Sequence, residues 1–406
     1  MIKKCAECGK INSVIRRSEK YMCVACNSNK EPLIEKITED EVELANIELL
    51  KENVKLAKQK QKFQDKNRVS NNTFRKDSRI ENSFEDYSEA IYKLLSERNF
   101  PVRKSAFPKS ENGRAIIVHL TDTHFNELVL LRSNKYDFKI ASKRLFKFAE
   151  RVIKYAEVHG VNEIYLMMTG DMINSDRRLD ELLSMAANRA KATILAVELL
   201  YQFIAHLTTV ANVKVFSVSG NESRIREEYT TSRKLTTDNF DFMIYEILKL
   251  CLKDDPTVNF ISGDRAETVI SINGKNFLLC HGNFLKKMAA KDVAQVIARY
   301  VNEDVKINYI ICGHLHETKI KDSLLRGGSL VGSNDYTEKG LNLYGKASQN
   351  LHIVYKNGDV DSVRVDLQEV SDEYNRMYDI DEKLEAYNAK SLDKTKEKTI
   401  IFQTVI

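Results

Sequence analysis

Ala115-Ile116-Ile117-Val118-His119-Leu120-Thr121-Asp122-Thr123-His124 is an apolar run that stops abruptly on a carboxylate and an imidazole two residues apart. Ile164–Met168 does the same, running through Thr169 into Gly170-Asp171, and Val213–Val218 is followed after Ser219 by Gly220-Asn221. Short apolar runs bounded by turn residues read as buried strands. Polar groups placed directly after such strands are where a layered α/β fold gathers ligands at one edge of its sheet.

The pattern continues outward from these three runs. Val258–Ile261, Thr268–Ile272, Asn276–Cys280 and Tyr309–Cys312 also read as strands, the third leading into His281-Gly282 and the last into Gly313-His314-Leu315-His316. Longer helical patterns lie between them near Tyr136–Val158, Arg178–Thr208, Phe240–Leu252 and Phe284–Val301. Asn273-Gly274 and Asn357-Gly358 sit between alternating runs and predict hairpins, so the later strands are expected to be antiparallel. The fold class expected is α/β in four layers, a mixed β-sandwich flanked by helices, with a zinc ribbon and a helical linker in front of it.

The ribbon is expected over residues 1–31. Cys5-Ala6-Glu7-Cys8 and Cys23-Val24-Ala25-Cys26 are two C-x-x-C pairs separated by fourteen residues, and each pair can offer two thiolates to one side of a tetrahedral Zn²⁺. So short a segment buries too little apolar surface to fold unaided, and the metal would supply much of its stability. Cys251, Cys280 and Cys312 stand among apolar neighbours and read as core.

Residues 32–110 form the expected basic linker. Thr38-Glu39-Asp40-Glu41 has the form of a capping box, and Ile47, Leu50, Val54 and Ala57 make a narrow apolar seam on an exposed helix. The seam could pair two chains as a homodimer or lie on the main domain. Between Lys51 and Ile80 ten Lys/Arg face three Asp/Glu, either a solvated helix end or a contact for nucleic-acid phosphates. A second helix is expected from Ser83 to Arg98. The main domain is expected over 111–368 and a charged tail over 369–406, whose apolar end, Ile400 to Ile406, is read as a covering edge strand or a docking peptide for a protein partner.

Hydrophobic residues make up 43% and charged residues 30% of 406, with a net charge of +5. This is the composition of a folded soluble protein. No run approaches the roughly 18 apolar residues that span a bilayer, and Met1-Ile2-Lys3-Lys4-Cys5 lacks the apolar stretch of a secretion signal. A cytoplasmic location without a membrane partner is expected.

The carboxylate, imidazole and amide oxygens of Asp122, His124, Asp171, Asn221, His281, His314 and His316 suit Mn²⁺, Fe²⁺ or Zn²⁺. Asp171 is central enough to bridge two ions. His119, His159, His206 and His352 match no such pattern.

The ordered set D-x-H, G-D, G-N, H-G and G-H-x-H, spread over residues 114 to 366, resembles the calcineurin-like metallophosphoesterase superfamily. Within it, Gly220-Asn221-Glu222-Ser223-Arg224 and Gly328-Ser329-Leu330-Val331-Gly332 are similar to the DNA-repair exonuclease branch and phage-encoded relatives; a phage-encoded chain would be expected in a bacterial host cytoplasm. The resemblance implies that Asp122, His124, Asp171 and His316 hold one metal, and Asp171, Asn221, His281 and His314 the other, with Mn²⁺ foremost. It implies hydrolysis of phosphodiesters by a water whose pKa the paired cations lower.

The expected activity is a DNA or RNA nuclease. The alternatives are a small-nucleotide or phosphoprotein phosphoesterase recruited to a protein partner by its ribbon, and a metal-binding scaffold without turnover. The sequence departs from the pattern at one point: the histidine that usually follows the asparagine and protonates the leaving group is Glu222. A glutamate could serve as acid only if burial raised its pKa. Arg224 and Arg226 could instead steady phosphate oxygens, and Arg178, Arg189 and Lys191 could flank a substrate groove.

Overall fold

The computed structural model describes residue 6 and residues 14–17, 20–23, 50–68, 106–108, 112–225, 236–285, 289–335, 337–338, 344–370 and 376–392. The chain divides into two compact units, Met1–Arg79 and Ile80–Ile406.

In the first unit β1 (Val14–Arg17) and β2 (Lys20–Cys23) pair antiparallel, Val14 opposite Cys23. A helix, α1, covers 50–68 and every residue of it is exposed. The side chains of Cys5, Cys8, Cys23 and Cys26 lie outside the described residues, as do the expected helix at 83–98, Arg226 and the apolar end at 400–406.

The second unit begins with β3 (Ala115–Leu120), β4 (Val129–Leu130) and β5 (Lys135–Tyr136), followed by α2 (Phe138–His159) and β6 (Glu163–Met168). Next come α3 (Leu179–Leu183), α4 (Arg189–Leu207), β7 (Asn212–Ser217), α5 (Phe240–Cys251) and β8 (Val258–Phe260). The second half runs β9 (Glu267–Ile272), β10 (Lys275–Cys280), α6 (Ala290–Val301), β11 (Tyr309–Cys312), β12 (Lys319–Lys321) and β13 (Leu324–Arg326). It closes with β14 (Ser348–Val354), β15 (Val360–Asp366) and α7 (Asp381–Ala386).

Six strands form one sheet in the order β15-β14-β3-β6-β7-β8, and five form another in the order β12-β13-β11-β10-β9. Strands β3, β6, β7 and β8 are parallel, as are β10, β11 and β13, so the candidate ligands after β3, β6, β7, β10 and β11 all follow carboxyl ends. Successive side chains of a strand face opposite ways. Ile116, Val118 and Leu120 accordingly join the cluster with α2, α4 and α5, while Ala115 and Ile117 pack with Phe277, Leu279 and Ile311 of the other sheet. The outer face of that second sheet packs Leu278, Cys280 and Ile310 against Val293 and Val296 of α6.

Local signals explain most element ends. Asp137 caps α2 by accepting the Ile140 N–H at 2.9 Å, and Gly160 ends that helix in the left-handed conformation, φ 60°. Asn273 and Gly274, with φ of 48° and 76°, turn β9 into the antiparallel β10.

Three expectations need correction. The helix expected over 178–208 is broken, because residues 184–186 leave the helix to pair with other backbone: the Leu128 N–H bonds to Ser184 O, Ala186 N–H to Asn126 O and Lys390 N–H to Ala186 O. Asn188 then caps a new helix through Lys191 N. The helical pattern expected from Phe284 starts only at Ala290, since Leu285 N–H closes a turn on Gly282 O. Residues after 369 are not merely a tail, because Tyr378, Ile380, Leu384 and Ala389 sit in the main core and the Tyr378 N–H and carbonyl both bond Ser142. In addition, α4 is long and apolar enough to cross a membrane, yet 78% of its apolar window is buried inside the protein.

His119 and His352 are fully buried inside the sandwich, their rings 6.2 Å apart. His119 Nε2 lies 3.0 Å from Thr169 Oγ1, and His352 Nδ1 lies 2.8 Å from Ser362 Oγ. Burial lowers both to about 3, so they are neutral.

Candidate metal centre

The loops after five parallel strands converge, and they do so through strained backbone. Among the described residues eight non-glycines have positive φ, and five of them are Asp122, His124, Asp171, His314 and His316. Such conformations cost of order 1–3 kcal/mol each and persist only where surroundings over-determine them.

Those surroundings are visible. Asp122 N–H bonds Gly170 O and His124 N–H bonds Asp171 O, both at 3.1 Å, which zips the β3 loop to the β6 loop. Gly220 and Gly313 are required by close approach: a Cβ on Gly220 would lie 2.1 Å from Asp171 Oδ1, and one on Gly313 would lie 1.9 Å from Thr121 Oγ1 and 2.2 Å from Asp122 Oδ2. The glycines before Asn221 and His314 therefore let two loops bearing candidate ligands touch.

Asp122, His124 and His316 form one group, and Asp171, His281 and His314 a second, with one ligand atom from each residue within 4.8 Å of the others in its group. Asn221 joins the second group, its Oδ1 lying 2.9 Å from His281 Nε2. The first sheet supplies Asp122, His124, Asp171 and Asn221, and the second sheet supplies His281, His314 and His316.

The donor chemistry fits cations. His281 Nδ1 donates to Thr169 O at 2.7 Å, which turns Nε2 toward Asp171 Oδ2 at 3.0 Å and the Asn221 carbonyl oxygen at 2.9 Å. A neutral imidazole there puts three lone-pair donors together with no hydrogen among them. His124 Nε2 and His316 Nε2 likewise approach to 3.2 Å, and His124 Nδ1 is buried without a partner. Metal-free, the site takes up protons instead. Burial disfavours charge on His281, but the Asp171 carboxylate outweighs it and raises His281 to about 10. Burial likewise works against Asp122, yet His316 and His281 hold it at about 2, and Asp171 is lowered chiefly by His281 against its own burial. His316 is raised by Asp122 although buried, whereas burial and the nearby His281 lower His314.

Several residues missed by sequence reasoning hold these loops. Asp241, 1% exposed at the start of α5, accepts the N–H groups of Asp171 and Gly220 on Oδ2, at 2.9 and 2.8 Å, and of Met172 on Oδ1 at 2.9 Å. Its pKa is raised by burial and by Asp171. Gln349, fully buried on β14, accepts the Thr121 N–H at 2.9 Å and donates to Thr121 O and Gly328 O. Arg144, 1% exposed, donates to Leu330 O, Val331 O and Asn134 Oδ1, pinning the 328–332 loop whose Leu330 N–H bonds Asp122 O. The one local signal, polar residues at the start of α5, reads equally as ordinary capping.

Glu222 stands beside Asn221. Its N–H donates to Asp171 Oδ1 at 2.7 Å, its Oε1 accepts the Asn221 amide and its Oε2 accepts Arg177 Nη2, both at 2.5 Å. Arg224 Nε donates to Asn221 O at 2.9 Å. Arg189, 7% exposed, is committed to the carbonyls of Glu222 and Arg224 and to Asp176, while Arg178, 66% exposed, lines the cleft. That cleft, about 720 Å³, opens over Asp171, Asn221, His314 and His316 and is edged by Glu127, Glu181 and Asp335.

No protein-family model matches the chain. The SPbeta prophage-derived uncharacterized protein YonJ of Bacillus subtilis (strain 168) is 21% identical over 334 residues, which is 78% of this chain and 78% of that one. Among solved structures, an archaeal phosphodiesterase matches at 12% identity and a TM-score of 0.30, over 62% of this chain and 99% of that one. Vps29 of Entamoeba histolytica complexed with Zn²⁺ matches at 14% and 0.29, over 62% and 99%, and the 5'-nucleotidase of Candida albicans SC5314 at 12% and 0.29, over 72% and 56%. Likenesses this distant do not bear on the chemistry, which rests on the site itself.

Proposed function

We propose that the chain is a two-metal-dependent phosphoesterase of the calcineurin-like kind that hydrolyses phosphodiester bonds in nucleic acid. The observation that carries this reading is the meeting of Asp171 Oδ2, Asn221 Oδ1 and the His281 Nε2 lone pair within about 3 Å, beside a second group of Asp122, His124 and His316. Two divalent cations, Mn²⁺ foremost with Fe²⁺ or Zn²⁺ as alternatives, would be held there, with Asp171 between them. When bound, such a pair neutralises phosphodiester charge and lowers the pKa of a water.

The chain's own residues do the rest. Thr169 O fixes the His281 tautomer, and the Asp241 carboxylate holds the β6 and β7 loops at one separation. The cleft above them is the entry for substrate. The layering of helix, sheet, sheet and helix and the donor types agree with the superfamily resemblance. The basic helix α1 and the ribbon, with its own Zn²⁺, are assigned to polymer contact, DNA or RNA.

One observation favours a second reading, a small nucleotide as substrate: Glu127, Glu181 and Asp335 line the cleft against one arginine, Arg178, a balance that disfavours a long polyanion. The purified chain with Mn²⁺, offered labelled DNA, RNA and a small phosphodiester reporter with an Asp171→Asn control, decides between them. The nuclease reading expects polymer cleavage and binding that weakens steeply with salt. Cleavage of the reporter alone would select the second reading, and no hydrolysis with no bound Mn²⁺ would refute both.

A further inference from the structure

Glu222 directly follows Asn221, where the superfamily resemblance implies a proton-donating histidine, and its carboxylate is already committed on both oxygens. Oε1 takes the Asn221 Nδ2–H and Oε2 takes Arg177 Nη2–H, each at 2.5 Å. The first contact decides which end of the Asn221 amide faces the metal group: with Nδ2 bound to Glu222, Oδ1 is left facing His281 Nε2 at 2.9 Å. A flipped amide would put N–H groups where a cation needs a lone pair.

The second contact decides where Arg177 stands. The pair is partly exposed, 21% for Arg177 and 25% for Glu222, and Nη2 also reaches Asn221 O at 3.5 Å. With both Nη2 hydrogens turned to Glu222 and Asn221, the Nη1–H groups of Arg177 are what it can offer another acceptor among the described residues. Arg224 Nε reaches the same Asn221 carbonyl from its own side. Glu222 lines the cleft, and a guanidinium N–H held beside it is a charge-assisted donor to one phosphoryl oxygen.

Resting on the phosphoesterase reading above, we infer that Glu222 is a positioning residue that works through its two neighbours: it sets the Asn221 amide for the metal and holds Arg177 as a contact for a non-bridging oxygen of the substrate's phosphoryl group. The leaving oxygen then takes its proton from solvent water rather than from Glu222.

The full-length chain with Mn²⁺ tests this through Glu222→Gln, Arg177→Gln, Arg177→Lys and the double glutamine variant. Aryl phosphodiesters with nitrophenolate, chlorophenolate and phenolate leaving groups supply the rates. Calorimetry with Mn²⁺, and with inorganic phosphate on the Mn²⁺-loaded chain, supplies the affinities. Expected for Glu222→Gln are a Mn²⁺ affinity lower by about 10-fold, as for outer partners of metal ligands, and a fall in kcat/KM that is equal for all three leaving groups with an unchanged pH profile. Phosphate affinity should fall alike in Arg177→Gln and the double variant, without adding, and Arg177→Lys should recover only part of it. A loss that grows with leaving-group pKa, or removal of the alkaline limb of the profile, would identify Glu222 as the proton donor and overturn the inference. So would Mn²⁺ and phosphate affinities within twofold of the parent. If the parent chain binds Mn²⁺ yet hydrolyses nothing, the phosphoesterase reading fails by itself, and the two affinities still decide the role of Glu222.

Discussion

Replacing Asp241 by asparagine changes one atom and strikes two loops. The carboxylate takes three buried backbone N–H groups, from Asp171 and Gly220 on one oxygen and from Met172 on the other. An asparagine has a single acceptor oxygen, so in its better orientation the Met172 N–H faces an NH₂ group and loses its partner, at about 1–3 kcal/mol. The two remaining bonds lose their charge assistance, roughly 1 kcal/mol each. Against this, removing a buried negative charge next to Asp171, which raises the pKa of Asp241, returns part of the loss. The net expectation is about 2–3 kcal/mol, or roughly 3–4 °C in the melting midpoint of a unit this large. Metal binding suffers separately, because Asp171 and Asn221 are no longer held at one separation, and a 10- to 100-fold weaker Mn²⁺ affinity is expected. Thermal melts in EDTA followed by Mn²⁺ calorimetry measure the two effects. A midpoint within 1 °C of the parent, with an affinity within twofold, would refute the argument that Asp241 sets the loops.

Gly313→Ala puts a methyl carbon 1.9 Å from Thr121 Oγ1 and 2.2 Å from Asp122 Oδ2; overpacking of this kind costs typically 1–3 kcal/mol, and Mn²⁺ binding should fall with stability in the same calorimetry and melts. Arg144→Leu takes a charged donor from Leu330 O, Val331 O and Asn134 Oδ1, the last two keeping Asn134 Nδ2 and Gln368 Nε2, a loss on the order of 3 kcal/mol that urea unfolding would register. His119 and His352 are held neutral at about 3, below their unfolded pKa, so the unfolded chain binds more protons between about pH 6.5 and 3. The stability they contribute is complete above that window and is lost as pH falls through it, at up to about 1.4 kcal/mol per pH unit for each. Urea midpoints of the EDTA-treated chain between pH 7 and 4 should fall less steeply for His352→Asn than for the parent, and equal slopes would refute this. With saturating Mn²⁺ at a hundred times its dissociation constant, the melting midpoint should rise by the equivalent of about 2.7 kcal/mol.

The strands that carry the ligands were legible because each is an apolar run ended by a polar group: Leu120 before Asp122, Met168 before Asp171, Cys280 before His281. Asp241 and Gln349 were not, because their work is done on backbone amides 21 to 228 residues away and nothing in their neighbours records it. The break between α3 and α4 was hidden for the same reason. Residues 178–208 have a helical pattern, and only pairing with 126–128 and 390 pulls 184–186 out of it. The stretch around Tyr378, Ile380 and Leu384 looked like a charged tail because its apolar residues are spaced among Asp, Glu and Lys. The Glu222–Arg177 pair spans 45 residues, so the sequence could raise the question of the missing histidine but not answer it.

The ligands come from both sheets, four from one and three from the other. An ion pair bound there would therefore be a rivet through the seam as well as a reagent. Removal of the ions would act on the mouth of the sandwich, where strand ends meet strained loops, and not on the apolar contacts between the sheets. The candidate site and the strained backbone share one address, so loss of the ion is expected to loosen that address before it unfolds the sandwich.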